Sequence, residues 1–163
     1  MPSDPYAAGL AMLARCELST AEVVERLRRR GFAPGDVEAA VERLRDEHAL
    51  DDHRTATVHA RRSARIRRRG PLRAEREIAA LGISPAVAGA AVAEVYAEEG
   101  AQTVLERALA RRLAEGAPVE SRAQFARLYR YLVRQGFDPP AVSATLRARA
   151  ATHAPPDPDE TAS

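Results

Sequence analysis

The sequence predicts an all-α protein made of three tandem three-helix units, helix-turn-helix-like repeats set in an elongated, curved array. Three observations carry this expectation. The first is an internal repeat. The stretches RLRRRGFAPGDVEAAVERL (26–44), EIAALGISPAVAGAAVAEV (77–95) and YLVRQGFDPPAVSATLRAR (131–149) align on Gly31, Gly82 and Gly136, with spacings of 51 and 54 residues. An apolar residue stands four before each glycine (Leu27, Ile78, Leu132) and another directly after it (Phe32, Ile83, Phe137). A proline follows three after (Pro34, Pro85, Pro139) and an apolar residue ten after (Val41, Val92, Leu146). Such a period belongs to stacked helical units. The second observation is composition. The chain is 45% hydrophobic, yet Leu, Ile, Val and Phe number only 32 of its 163 residues. Much of the rest is alanine, which favours helix and buries little, so the helices should enclose thin cores. The third is size: a unit of about 50 residues is marginal alone, and stacking neighbours completes its core.

The elements follow in order. Ser3-Asp4-Pro5 is a start signal, and Tyr6, Leu10 and Leu13 give the first helix an apolar stripe. Ser19-Thr20-Ala21-Glu22 reads as a capping box opening the second helix, with Val23, Val24 and Leu27 inward. Gly31 suits a left-handed helix end, and Pro34 opens a third helix whose inner face is Val37, Val41 and Leu44. Asp51 and Asp52 start a long basic helix on which Ala56, Ala60 and Ala64 form a narrow packing stripe. The turns at Gly82 and Gly136 repeat the pattern of Gly31. In the third unit Leu105, Ala108, Leu109 and Leu113 line one helix. Ser121 and Gln124 make a second box, followed by Phe125, Leu128, Tyr129 and Leu132 facing inward. The division expected is 1–50, 51–99 and 100–151, with a proline-rich acidic tail, THAPPDPDETAS (152–163), disordered.

Composition also excludes functions. His48, His53, His59 and His153 make no ligand spacing with each other or with Cys16, and no glycine-rich phosphate loop exists. Asp51-Asp52 reads better as a helix start, favoured by the helix dipole, than as a metal or acid–base pair. Cys16, the only cysteine, permits no internal disulfide and reads as a small core residue rather than a nucleophile. No catalytic residue, metal or cofactor is expected. With no tryptophan and 4% aromatics the chain is no stacking platform for bases. The sequence shows no signal peptide and no membrane span, so the expected place is the cytoplasm and the expected state a monomer.

One stretch carries a functional claim. RRSARIRRRGPLRAER (61–76) holds eight arginines, Arg61, Arg62, Arg65, Arg67, Arg68, Arg69, Arg73 and Arg76, against one acid, Glu75. The block is therefore +7, and the remainder, 17 arginines against 22 acids, is −5; together they give the formal +2. Exposed helices usually interleave signs for i,i+4 pairing, and Arg61 to Arg73 contains no acid. Such segregation points to a polyanionic or acidic partner, with a merely solvated face as the bland alternative. The helix after the Gly82 turn is acidic at its end and has no base-reading side chains, which argues against major-groove readout.

Several residues in sequence also resemble a known family. Leu13-Ala14-Arg15, Ser19, Glu22 and Leu27, then Leu50-Asp51-Asp52, then Gly70-Pro71, Arg73 and Gly82-Ile83, and finally Tyr131 to Phe137 match in order and spacing the pattern of the RecX family of bacterial recombination regulators. The resemblance covers about residues 6–150. It implies a non-enzymatic protein of three three-helix modules. Such a protein would lie in the groove of the RecA–single-stranded-DNA filament and inhibit strand exchange, ATP hydrolysis and co-protease activity. The eight arginines would then meet DNA phosphates or RecA carboxylates, since the guanidinium fork suits both. Thr55 and Ala74 depart from the pattern, where the family often has an aromatic and an isoleucine, and should thin the second core. The alternatives are a sequence-nonspecific nucleic-acid binder (single- or double-stranded DNA) and a plain helical adaptor, neither with a RecA partner.

Overall fold

A computed structural model describes residues 4–151; Ser3 and the tail 152–163 lie outside the described residues. The chain is all-helical. The helices are α1 (Pro5–Leu13), α2 (Thr20–Arg29), α3 (Pro34–Asp46), α4 (Asp52–Arg62), α5 (Pro71–Ala79), α6 (Pro85–Glu99), α7 (Ala101–Leu109), α8 (Arg122–Arg134) and α9 (Pro139–Ala151). A π-helical turn spans Ser63–Arg67, and no strand occurs among the described residues. In consecutive threes the helices pack on one another: α1 and α2 on α3, α4 and α5 on α6, α7 and α9 beside α8.

Local chemistry accounts for the helix ends. The Ser19 hydroxyl accepts from Glu22 N at 3.1 Å and the Glu22 carboxylate accepts from Ser19 N at 2.9 Å, a complete capping box. Gly31, Gly82 and Gly136 all take left-handed conformations, φ 87°, 79° and 91°, which cost a side-chain-bearing residue strain. Pro34, Pro85 and Pro139 each open the next helix, where no backbone N–H is needed. The aspartate pair divides its work. Asp51 accepts from His53 N and Arg54 N and so caps α4, whereas Asp52 accepts from Thr20 N at 2.7 Å and caps α2.

Burial follows the repeat. Leu27, Ile78 and Leu132 are at most 1% exposed, and Ala56, Ala60 and Ala64 are fully buried. Around α1–α3 one apolar cluster gathers Val23, Leu27, Val37, Val41 and Leu44. A second cluster runs without a break through α4–α9. Thr55, one of the residues expected to thin the core, is fully buried and donates to the Leu18 carbonyl at 3.2 Å, tying α4 to the segment before α2.

Three expectations are corrected. The first concerns α1, where Tyr6 and Leu13 pack partly buried against the core as expected but Leu10 is 37% exposed, and the buried residues are Ala8, Gly9 and Met12. A Cβ at Gly9 would stand 2.7 Å from Leu44 Cδ1, so the small residue, and not the large one, faces α3. Cys16 is exposed rather than a core residue. The basic block is not one long helix: α4 ends at Arg62, the π-turn widens the backbone, and Arg68 turns left-handed at φ 53° before Gly70-Pro71 starts α5. A proline opening α5 cannot supply the N–H that a continuous helix requires.

Candidate functional site

The break at residues 63–70 spreads the eight block arginines over three elements, and the fold brings carboxylates to most of them. Arg61 pairs with Glu98 at 3.3 Å and Arg65 with Glu99 at 2.5 Å, both acids standing at the end of α6. Arg67, Arg69 and Arg73 converge on Glu77 of α5, Arg73 at 3.0 Å. Burial pushes the Glu77 carboxyl up, yet the hydrogen bonds from Arg73 and Arg69 outweigh it and hold the carboxyl below its usual value. Arg68 donates to the Arg107 carbonyl and Arg76 to that of Leu72. Arg62 makes no such contact among the described residues and is exposed. The absence of acids between Arg61 and Arg73 therefore does not leave the arginines unpaired, because partners arrive from outside that stretch. Sequence-local i,i+4 counting could not see Glu98 and Glu99.

Tyr96 holds the turn from below. Its hydroxyl donates to the Arg69 carbonyl at 2.6 Å, and burial drives its pKa far up, so it remains a donor. Ile66, in the middle of the arginines, is 66% exposed, and Leu72 is exposed beside them. The block thus presents an apolar side chain ringed by half-neutralised cations. This composition suits a protein surface better than a bare phosphate backbone, since interface cores combine apolar anchors with arginine.

A second cationic surface is less conspicuous in the sequence. Helix α8, RAQFARLYRYLVR, has four arginines and no acid. Arg127, Arg130 and Arg134 are spaced i, i+3, i+7, one face of a helix. With Arg112, Gln124, Tyr131 and Gln135 they line an open cleft of about 630 Å³. Arg112 lies over the Tyr131 ring at 4.8 Å, a cation–π contact that orders both. No carboxylate among the described residues pairs with Arg127, Arg130 or Arg134, and no Asp or Glu lines the cleft. The cleft adjoins the block: Arg73 donates to the Gln135 side chain at 3.4 Å, and Arg111 to the Ile66 carbonyl at 3.1 Å. The signal was in the sequence, as a helix-spaced arginine row without acids, but its density was lower than that of 61–76.

A third group of arginines sits at the start of the chain, where Arg15, Arg26, Arg29 and Arg30 line a cleft of about 570 Å³. Two of these are partly engaged, Arg26 with Glu22 and Arg29 with Glu25, each at 3.8 Å. Among the described residues no cluster of three His, Cys, Asp or Glu could hold a metal ion. No helix of the described chain is long and apolar enough to cross a membrane.

Comparison with known proteins gives one consistent result. The family profile described as "RecX, first three-helix domain" matches residues 6–44. The regulatory protein RecX of Halorhodospira halophila is 33% identical over 142 residues, covering 86% of this chain and 85% of that one. The RecX of Xanthomonas campestris is 32% identical over 143 residues, 88% and 86% of the two chains. The RecX of Geobacillus thermodenitrificans is 30% identical over 144 residues, but this chain spans only 52% of its length. Among solved structures, that of RecX from Lactobacillus salivarius superposes with a TM-score of 0.73 at 20% identity, covering 91% of this chain and 95% of the other. A second structure of a regulatory protein RecX gives 0.75 at 17%, covering 88% and 70%. At these identities the superpositions speak to the fold, and the sequence relatives speak to the family.

Proposed function

The chain belongs to the RecX family, and from that premise we propose that it is a non-enzymatic regulator which binds the RecA–single-stranded-DNA filament in the cytoplasm and inhibits recombinase, ATPase and co-protease activity. The observation that carries this reading is the continuous arginine surface running from the 61–76 block into the α8 cleft. Its two parts have different chemistry, and the proposal gives them different partners. The block, with Ile66 exposed and its arginines already sharing Glu77, Glu98 and Glu99, meets RecA. There Arg61, Arg65 and Arg67 exchange intramolecular carboxylates for RecA ones, and Arg62, Arg68 and Arg76, which have no carboxylate partner among the described residues, add new pairs. Arg69 and Arg73 are the most enclosed of the paired arginines and chiefly hold the turn in shape. The α8 row has no carboxylate partner among the described residues and meets DNA phosphates. The three modules, 1–50, 51–99 and 100–151, act in this reading as successive docking units along the filament groove.

The test is inhibition of RecA ATP hydrolysis on single-stranded DNA, with binding to naked single strands as the control. The expected result is inhibition that fails when Arg61, Arg62 and Arg76 are changed together to Gln, while naked-DNA binding stays within about twofold. Equal loss of both would replace this reading with the nonspecific nucleic-acid binder, with the block itself on the phosphates.

A further inference from the structure

The repeats are joined by one device used twice. In the first junction the Ser19 hydroxyl, at the start of α2, donates to the Leu81 carbonyl at 2.5 Å, and the Gly82 turn lies on Ala21 so closely that a Cβ on the glycine would collide with the alanine methyl. In the second, Gly70 N, at the start of α5, donates to the Gln135 carbonyl at 2.8 Å, and Leu72 N donates to the Gly136 carbonyl at 3.1 Å. Cβ atoms at Gly70 or Gly136 would strike backbone. Each junction therefore seats a glycine turn on the N-terminus of the middle helix of the preceding repeat. The positions match: Ser19, Gly70 and Ser121 are the three N-cap residues, 51 apart each time.

Two halves of this device have no mate among the described residues. The Gly31 turn, φ 87°, has nothing within 4 Å of its Cβ position. Phe32 beside it is only half-buried, whereas its counterparts Ile83 and Phe137 are 2% and 3% exposed. At the other end the N-cap Ser121 is exposed, whereas its counterparts Ser19 and Gly70 are buried, and Ala123 stands where Ala21 stands in the first repeat.

We propose that copies of this chain associate head to tail, the Gly31 turn of one copy seated on the α8 N-terminus of the next, continuing the internal junction between molecules. Such a contact joins two different surfaces, so it does not close into a dimer but extends. It is small, of the weak class below about 1,200 Å². It operates where copies are held in line at high local concentration and is sparsely populated in dilute solution.

The test uses full-length chain with Cys16→Ser and new cysteines at exposed positions, Arg30→Cys and Ala123→Cys, joined by a short bis-maleimide. The doubly substituted chain should give dimers, trimers and higher multiples. Each single variant alone should remain monomeric, and an equimolar mixture of the two should stop at the dimer. Adding Ala123→Arg to the Arg30→Cys partner should leave that mixture unchanged, because its turn end is intact. No multiples from the double variant would overturn the proposal. So would single variants that cross-link as efficiently as the mixture. So would protection from maleimide, within the monomer, of the thiol introduced at position 123. No RecA is present, so the outcome is independent of the filament reading.

Discussion

The 61–76 block and helix α8 are both arginine-rich, and the fold treats them in opposite ways. In the block five of the eight arginines pair with Glu77, Glu98 or Glu99. On α8 the row Arg127, Arg130 and Arg134 faces an open cleft without a carboxylate. The denser segment is the better neutralised one. Charge read along a sequence counts neighbours in the chain, whereas potential depends on neighbours in space, and α6 delivers two acids more than thirty residues distant. An exposed pair contributes only about 0–1 kcal/mol, so the block's pairs are readily exchanged for a partner's.

The largest effect should come from removing what holds α8 in place. Leu132 is fully buried on the face opposite the arginine row. Leu132→Ala should cost about 2–5 kcal/mol, read as a lowered melting temperature, and an unchanged melt would show that α8 is not seated as described. The next test separates the two surfaces. Arg127, Arg130 and Arg134 changed together to Gln should leave the melt nearly unmoved. The same change should reduce the log–log salt slope for single-stranded DNA by about 2, at about 0.7 per phosphate contact. An unaltered slope would make the row an idle solvated face.

Smaller effects sharpen the block's side. Glu77→Gln should lower stability by about 1 kcal/mol, since the carboxylate is one-third exposed and three guanidinium groups lose their common partner. It should also raise polyanion affinity, bringing the block closer to α8 in behaviour. Acid should mimic it. Because the carboxyl is held below its usual value when folded, its contribution is complete above the ordinary value of 4.5 and is lost as pH falls through the folded value. In Glu77→Gln this acid step should flatten; a step of undiminished size would place it elsewhere. Least in size, Arg68→Gly should stabilise the fold by up to about 1 kcal/mol, read as a slightly raised melting temperature, because glycine takes φ 53° without strain.

Much of the fold was legible because its punctuation is local. The glycine–apolar–proline signature sets each turn by backbone chemistry within a dozen residues, and the Ser19–Glu22 box closes in the structure as the pattern implies. The second box is looser: Ser121 accepts from Gln124 N, but the Gln124 side chain accepts from Glu120 N instead of returning to Ser121. What was illegible depended on contacts between distant segments. Gly9 faces inward only because Leu44 arrives over it, Asp52 caps a helix thirty-two residues behind it, and a π-turn has no strong composition signal. The arginine site was legible as a segment and misleading as a surface for the same reason.

The apolar cluster of α1–α3 and the one running through α4–α9 are separate, and what crosses between them is mainly polar: Ser19 to Leu81, Thr20 to Asp52, Thr55 to Leu18, Arg54 to Glu17. Cooperativity follows contiguous apolar packing, so the chain has two foldons of unequal size. The N-terminal three helices can open on their own while the other six stay closed. Amide protons of α2 and α3 should therefore exchange with solvent by subglobal opening, at a lower free energy than those of α6 and α8. Pulled from its ends, the molecule should yield first at its beginning.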